Sequence, residues 1–126
     1  MSAMSEAHEL WERIYAAFKP HRMPTDPTPQ AALNRIAAKC LKTEQRRSFD
    51  PSNCVVRQEV LSVDELRQLE LFHNRPFPQR CDDPIIVLVC EERRVVIDGN
   101  NRVNKWLQAG RSESRLAIII ESPACS

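Results

Sequence analysis

Pro84-Ile-Ile-Val-Leu-Val-Cys90 is an unbroken apolar run. A strand that faces water on one side alternates apolar and polar residues, and this one does not. It therefore reads as a strand covered on both faces. At 126 residues the chain is long enough for one domain with a real core and too short for two. Hydrophobic residues make up 42% and charged residues 28%, the balance of an ordinary globular protein, which excludes wholesale disorder. Net charge is +1, so no global field draws nucleic acid or an anionic membrane. Apolar runs fall far short of the roughly 20 residues of a membrane span, and the N-terminus lacks a basic-then-apolar signal pattern. These features lead to the expectation of a cytoplasmic protein with no membrane partner.

Periodicity divides the rest. Ala7, Leu10, Trp11, Ile14, Tyr15 and Phe18 recur at helical spacing, with Ser5 as the expected cap and Pro20 as the stop. A proline-rich connector follows. Thr28-Pro29 then opens a second helix that buries Leu33, Ile36, Ala37, Cys40 and Leu41. The aromatic stripe of the first helix is expected to pack on its own domain. Residues 54–60 read as a strand. Ser62 and Glu65 then form a capping box, with Leu61 and Leu66 as its staple and a helix carrying Val63, Leu66, Leu69 and Phe72. A loop spans 73–83, and the buried strand turns back at Glu91-Glu92-Arg93 into Arg94–Ile97. A helix over 100–109 presents Val103, Trp106 and Leu107, and Leu116–Ile120 is the last strand. The expected class is α+β: a small mixed sheet with packed helices, preceded by two N-terminal helices. The expected divisions are a helical extension over 1–50, the sheet domain over 51–122 and a tail over 123–126.

Five cysteines (40, 54, 81, 90 and 125) are widely spaced without a C-x-x-C pair, and three histidines are scattered. The expectation is free thiols, with neither a disulfide framework nor a metal site.

Glycine usage marks the candidate site. The only two glycines, Gly99 and Gly110, flank the same short helix. Gly110 serves as a stop. Gly99 lies where a strand hands over to a helix N-terminus, whose unpaired N–H groups and dipole favour an anion. Arg102 adds a guanidinium able to grip phosphate with two hydrogen bonds, and Asn100 and Asn101 add neutral donors. Asp98 would repel a bare phosphate, so it suits a magnesium ligand, a ribose contact or a helix cap. Asp-Gly-Asn-Asn is equally a turn-and-cap sequence that needs no ligand.

From Val55 to about Glu121 the chain resembles the ParB/sulfiredoxin superfamily. The resemblance rests on Pro84-Ile85 opening a buried strand, the hairpin into Val95-Val96-Ile97-Asp98-Gly99, and Arg102 completing an Asp-Gly-x-x-Arg box. The tryptophan-bearing helix closed by Ala109-Gly110 and the final aliphatic strand complete it. It implies nucleotide binding, ATP or CTP with magnesium, through Gly99, Asn100, Asn101 and Arg102. Sulfiredoxins carry cysteine then histidine inside the box where this chain has Asn100 and Asn101, so their reductase chemistry is not expected. Kinase-like members place histidine where Asn101 stands, and asparagine cannot act as a general acid or base. His73 offers an imidazole from the loop, although a loop histidine is commonly just solvated. ParB proteins continue into a DNA-reading helix-turn-helix that does not follow here, so chromosome partition is not expected.

Acids near the box are Glu59, Asp82, Asp83 and Asp98. By likeness to related phosphotransferases, Glu59 is the candidate base, with Asp98 as the second catalytic candidate; a solvated strand acid is the plainer reading of Glu59. The resemblance implies a stand-alone nucleotide-binding domain, acting as a magnesium-dependent nucleoside triphosphatase or phosphotransferase by positioning and charge neutralisation. The alternative is a catalytically inactive relative that binds a protein partner, an accessory or anti-defence inhibitor from a mobile element. A nuclease using Arg75, Arg80, Arg93 and Arg94 is the weakest reading, given the balanced charge and the lack of stacking aromatics.

Overall fold

The computed structural model of the protein describes residues 3–18, 25–71, 84–108, 110 and 114–122. In chain order, α1 (Ala3–Ala17), α2 (Pro29–Cys40), α3 (Thr43–Ser48) and a 3-10 turn (Pro51–Asn53) lead into β1 (Val55–Leu61). Then come α4 (Val63–Arg67), β2 (Glu70–Leu71), β3 (Ile85–Cys90), β4 (Arg93–Asp98), α5 (Asn100–Gln108) and β5 (Arg115–Ser122). The architecture is mixed α and β.

Local chemistry explains most element ends. Thr28 Oγ1 accepts from the Ala31 backbone N at 3.1 Å, and Pro29 takes the first helical position, where its missing N–H costs nothing. Ser62 and Glu65 form both halves of their capping box, at 3.2 Å each. Leu61 and Leu66 are each 2% exposed, in the same buried cluster, as the staple requires. β3 and β4 are joined through Glu91 and Glu92, with Glu91 in the left-handed region at φ 56°.

The five strands lie in the order β1-β5-β3-β4-β2. β1 runs antiparallel to β5, β5 parallel to β3, β3 antiparallel to β4, and β4 parallel to β2. β3 is therefore central, and both of its faces are covered. Ile86, Leu88 and Cys90 join Ile14 of α1, Phe18 just beyond its end, and Leu33 and Ala37 of α2 in one cluster. Ile85 and Val87 join Leu66 of α4 and Val103 and Trp106 of α5 in the other. Alternate side chains along a strand go to opposite faces, and β3 finds apolar partners on each. Burying each such side chain contributes about 1.5–3 kcal/mol. The α1 stripe is spent inside the molecule, with Leu10, Trp11 and Tyr15 packed around buried Ile14 and Phe18.

The connector before α2 is pinned by Asp26, which is 7% exposed. Arg35 donates to it from Nε at 2.8 Å and from Nη2 at 3.3 Å, and the Tyr15 hydroxyl donates to its backbone carbonyl at 2.6 Å. These bonds lock α1, the connector and α2 together.

Several expectations need correction. Ser5 lies inside α1, which already includes Ala3, so it is not the cap; helix ends commonly fall a residue or two from where the local signal puts them. α3 was not anticipated. The helix after Ser62 ends at Arg67, and Glu70 and Leu71 instead pair with β4 as an edge strand. Lateral pairing there overrides the apolar spacing that ran on to Phe72, a residue outside the described set. Finally, Cys90 is disulfide-bonded, whereas Cys40 and Cys54 are free. Its partner is not among the described residues. A disulfide needs only two Cα atoms some 4.4–6.8 Å apart in space, which wide spacing along the chain does not preclude. The cysteine pattern thus gives no support to a reducing compartment.

Candidate functional site

The Asp-Gly-x-x-Arg box sits at the joint between β4 and α5. Asp98 closes β4 opposite Ile86, just beyond a register irregularity at Ile86/Val87. Gly99 has φ 96°, a conformation an L side chain rarely adopts, so glycine is what lets the strand turn directly into the helix. The Val103 N–H donates to the Gly99 carbonyl at 3.1 Å, closing the first turn. The backbone N–H groups of 100–102 therefore belong to the first turn of α5, at its N-terminus. The first turn of α5 carries no acidic residue. The side chains of Asn100, Asn101 and Arg102 lie outside the described residues.

α5 is held down by its other face. Val103 is fully buried and Trp106 is 5% exposed, both against the sheet. The Arg115 guanidinium lies 4.6 Å from the centroid of the Trp106 ring. The Trp106 indole Nε1 is buried with no hydrogen-bond partner among the described residues.

The two catalytic candidates are not brought together. Glu59 on β1 pairs with Ala117 of β5, which pairs with Ile85 of β3, the neighbour of Ile86 opposite Asp98. Three strand spacings, about 14 Å of backbone, separate them. Glu59 lies instead in a charged hollow that sequence reasoning did not anticipate, lined with Arg57, Arg94 and Glu121. Arg57 Nε is 3.3 Å from Glu59 Oε1 and its Nη1 is 3.6 Å from Glu121 Oε2. The β1/β5 register puts these groups beside one another, a neighbourhood invisible along the chain. Among the described residues no three His, Cys, Asp or Glu side chains converge to hold a metal ion. Asp98, at the end of β4, is the described carboxylate adjacent to the joint.

Other candidates separate further. Asp82, Asp83, His73, Arg75 and Arg80 lie outside the described residues. Arg93 and Arg94 are adjacent on a strand and diverge. Arg93 pairs with Glu70 at 2.9 Å, while Arg94 lies 3.9 Å from Glu65. The described part of the basic patch is thus split between two acids.

Two hollows flank the N-terminal helices. One of about 590 Å³ runs between α1 and β1, past Glu6, Glu9, Arg13 and Gln58. The other, about 370 Å³, lies between α2 and α3 beside Asn34, Arg46, Arg47 and Phe49. No described helix is long and apolar enough to cross a membrane. No family model matches the chain, and comparison with curated proteins and with solved structures finds no match.

Proposed function

We propose that the chain is a ParB-like nucleotide-binding domain whose Gly99–Arg102 turn receives the phosphates of ATP or CTP. The observation that supports this reading is the joint itself: a positive-φ glycine feeding a nine-residue helix whose first turn is free of acids. On this reading backbone N–H groups and the Arg102 guanidinium hold the phosphates, and Asp98 orients a bound magnesium ion or the ribose. The proposal presumes a cytoplasmic setting, where nucleoside triphosphates are plentiful.

A second reading follows from the distance between the acids. Glu59 is engaged by Arg57 and stands three strands from Asp98, and Asn101 cannot move a proton. This arrangement favours a domain that binds without efficient turnover, an interaction partner or inhibitor of the mobile-element, anti-defence kind. Hydrolysis or phosphoryl transfer would then rest on positioning alone.

Thermal-shift measurements with ATP, ADP, CTP and GTP, each with and without magnesium, test the proposal. A nucleotide that binds only the folded state raises Tm. Arg102→Ala should remove that shift and leave the unliganded Tm nearly unchanged. If no nucleotide shifts the wild type, or if Arg102→Ala unfolds it, the box is scaffold and the interaction-protein reading takes its place.

A further inference from the structure

The two edges of the sheet are managed differently. β2, at one end, spans two of the described residues, Glu70–Leu71. β1, at the other end, is seven residues long, and among the described residues it pairs on one side only, with β5. It carries no proline and no register irregularity against β5, two of the devices that usually blunt an edge. Its valines at both ends are open to solvent, Val55 at 57% and Val60 at 66%. The hollow between α1 and β1 leaves space beside Val56, Arg57 and Gln58.

The β1 sequence, Val55-Val-Arg-Gln-Glu-Val-Leu61, is complementary to itself when reversed about Gln58. In an antiparallel pair related by a two-fold axis through Gln58, Arg57 of each copy faces Glu59 of the other. Val56 faces Val60, Val55 faces Leu61, and Gln58 faces its own symmetry mate. Directly opposite residues share a face of the sheet, so each of these pairs is a side-chain contact. The exposed Val60 would lie beside Val56, which is 8% exposed, and the exposed Val55 beside Leu61, which is 2% exposed. Both solvent-facing valines thus extend an existing core.

We infer that β1 is a dimer edge, and that two copies of this chain join their sheets across Gln58 into one continuous ten-stranded sheet. The occupant is a second copy because charge and apolar patterns match only in that self-paired register. Arg57 already reaches Glu59 and Glu121 of its own chain, so pairing extends an existing ion network across the axis. Such an isologous contact closes on itself and, among the described residues, leaves no long edge for further growth. The inference is independent of the nucleotide reading, because it uses none of residues 98–102.

Sedimentation analysis of the full chain, from micromolar to submillimolar concentration, reads the dimer directly. The wild type should reach twice the chain mass. Arg57→Glu and Glu59→Arg each place like charges opposite one another twice per dimer, and should weaken association roughly tenfold or more. Mixed in equal amounts, these two variants again oppose Arg to Glu at every contact and should form a dimer containing one of each. Val60→Lys, at a site exposed in the monomer, should weaken the dimer with an unchanged far-UV circular dichroism spectrum; it carries the test if either charge variant misfolds. A wild type that stays monomeric throughout, a dimer that the variants leave intact, or a mixture that does not associate would each overturn the inference.

Discussion

Arg93 clasps Glu70 with two hydrogen bonds, from Nε at 2.9 Å and from Nη2 at 3.1 Å, while its Nη1 donates to the Cys40 carbonyl at 3.0 Å. One guanidinium thereby ties β4, the edge strand β2 and the C-terminal end of α2. The pairing lowers the Glu70 pKa below its ordinary value, chiefly through the hydrogen bonds from Arg93, and raises that of Arg93. A carboxylate whose folded pKa is depressed contributes stability that is present above its unfolded value, near pH 4.3. That contribution is lost as pH falls through the folded pKa. The Glu70 side chain is half exposed, so solvent screening keeps the effect small.

Glu70→Gln should therefore cost about 0.5–1 kcal/mol at neutral pH. The gap from wild type should close as the pH drops below about 4. Urea denaturation of both proteins across that pH range checks this; a gap that stays constant into acid would show that the charge is not what matters. Arg93→Ala should cost more, about 1–3 kcal/mol, because it also strips the Cys40 carbonyl of its donor.

Trp106→Ala should destabilise by about 3–5 kcal/mol, since the ring is nearly buried between α5 and the sheet. Arg115→Ala removes the guanidinium stacked on that ring and should cost less, with the lost stacking contributing about 0.5–1 kcal/mol. Denaturant midpoints measure both. Equal effects from the two variants would contradict the placement of the ring in the core.

The Cys90 bridge predicts a thiol count. Unfolded without reductant, the protein should titrate three free thiols of its five cysteines, and all five after reduction. In the folded protein Cys54 should be slow to alkylate near pH 8, because burial raises its pKa to about 11 and the thiolate is the reactive form. Five free thiols before reduction would show that the bridge is not formed.

What the sequence by itself determined is what neighbouring residues decide among themselves. The apolar run of β3, the Thr28-Pro29 helix start, the Ser62/Glu65 capping box and the glycine at the β4–α5 joint each encode a backbone conformation within a few positions. Each lies where the local chemistry puts it. Only the tertiary structure decided what lies beside what. Lateral order placed β5 between β1 and β3, and so moved Glu59 three strands from Asp98 and into the company of Arg57 and Glu121. Pairing with β4 converted Glu70 and Leu71 from the end of a helix into an edge strand, and put Glu70 within reach of Arg93, 23 positions further along the chain. Cys90 likewise found a partner that spacing could not identify. Strand order and cross-links depend on which distant segments share a core, and that is settled by the summed burial of both sheet faces rather than by any short stretch of chain.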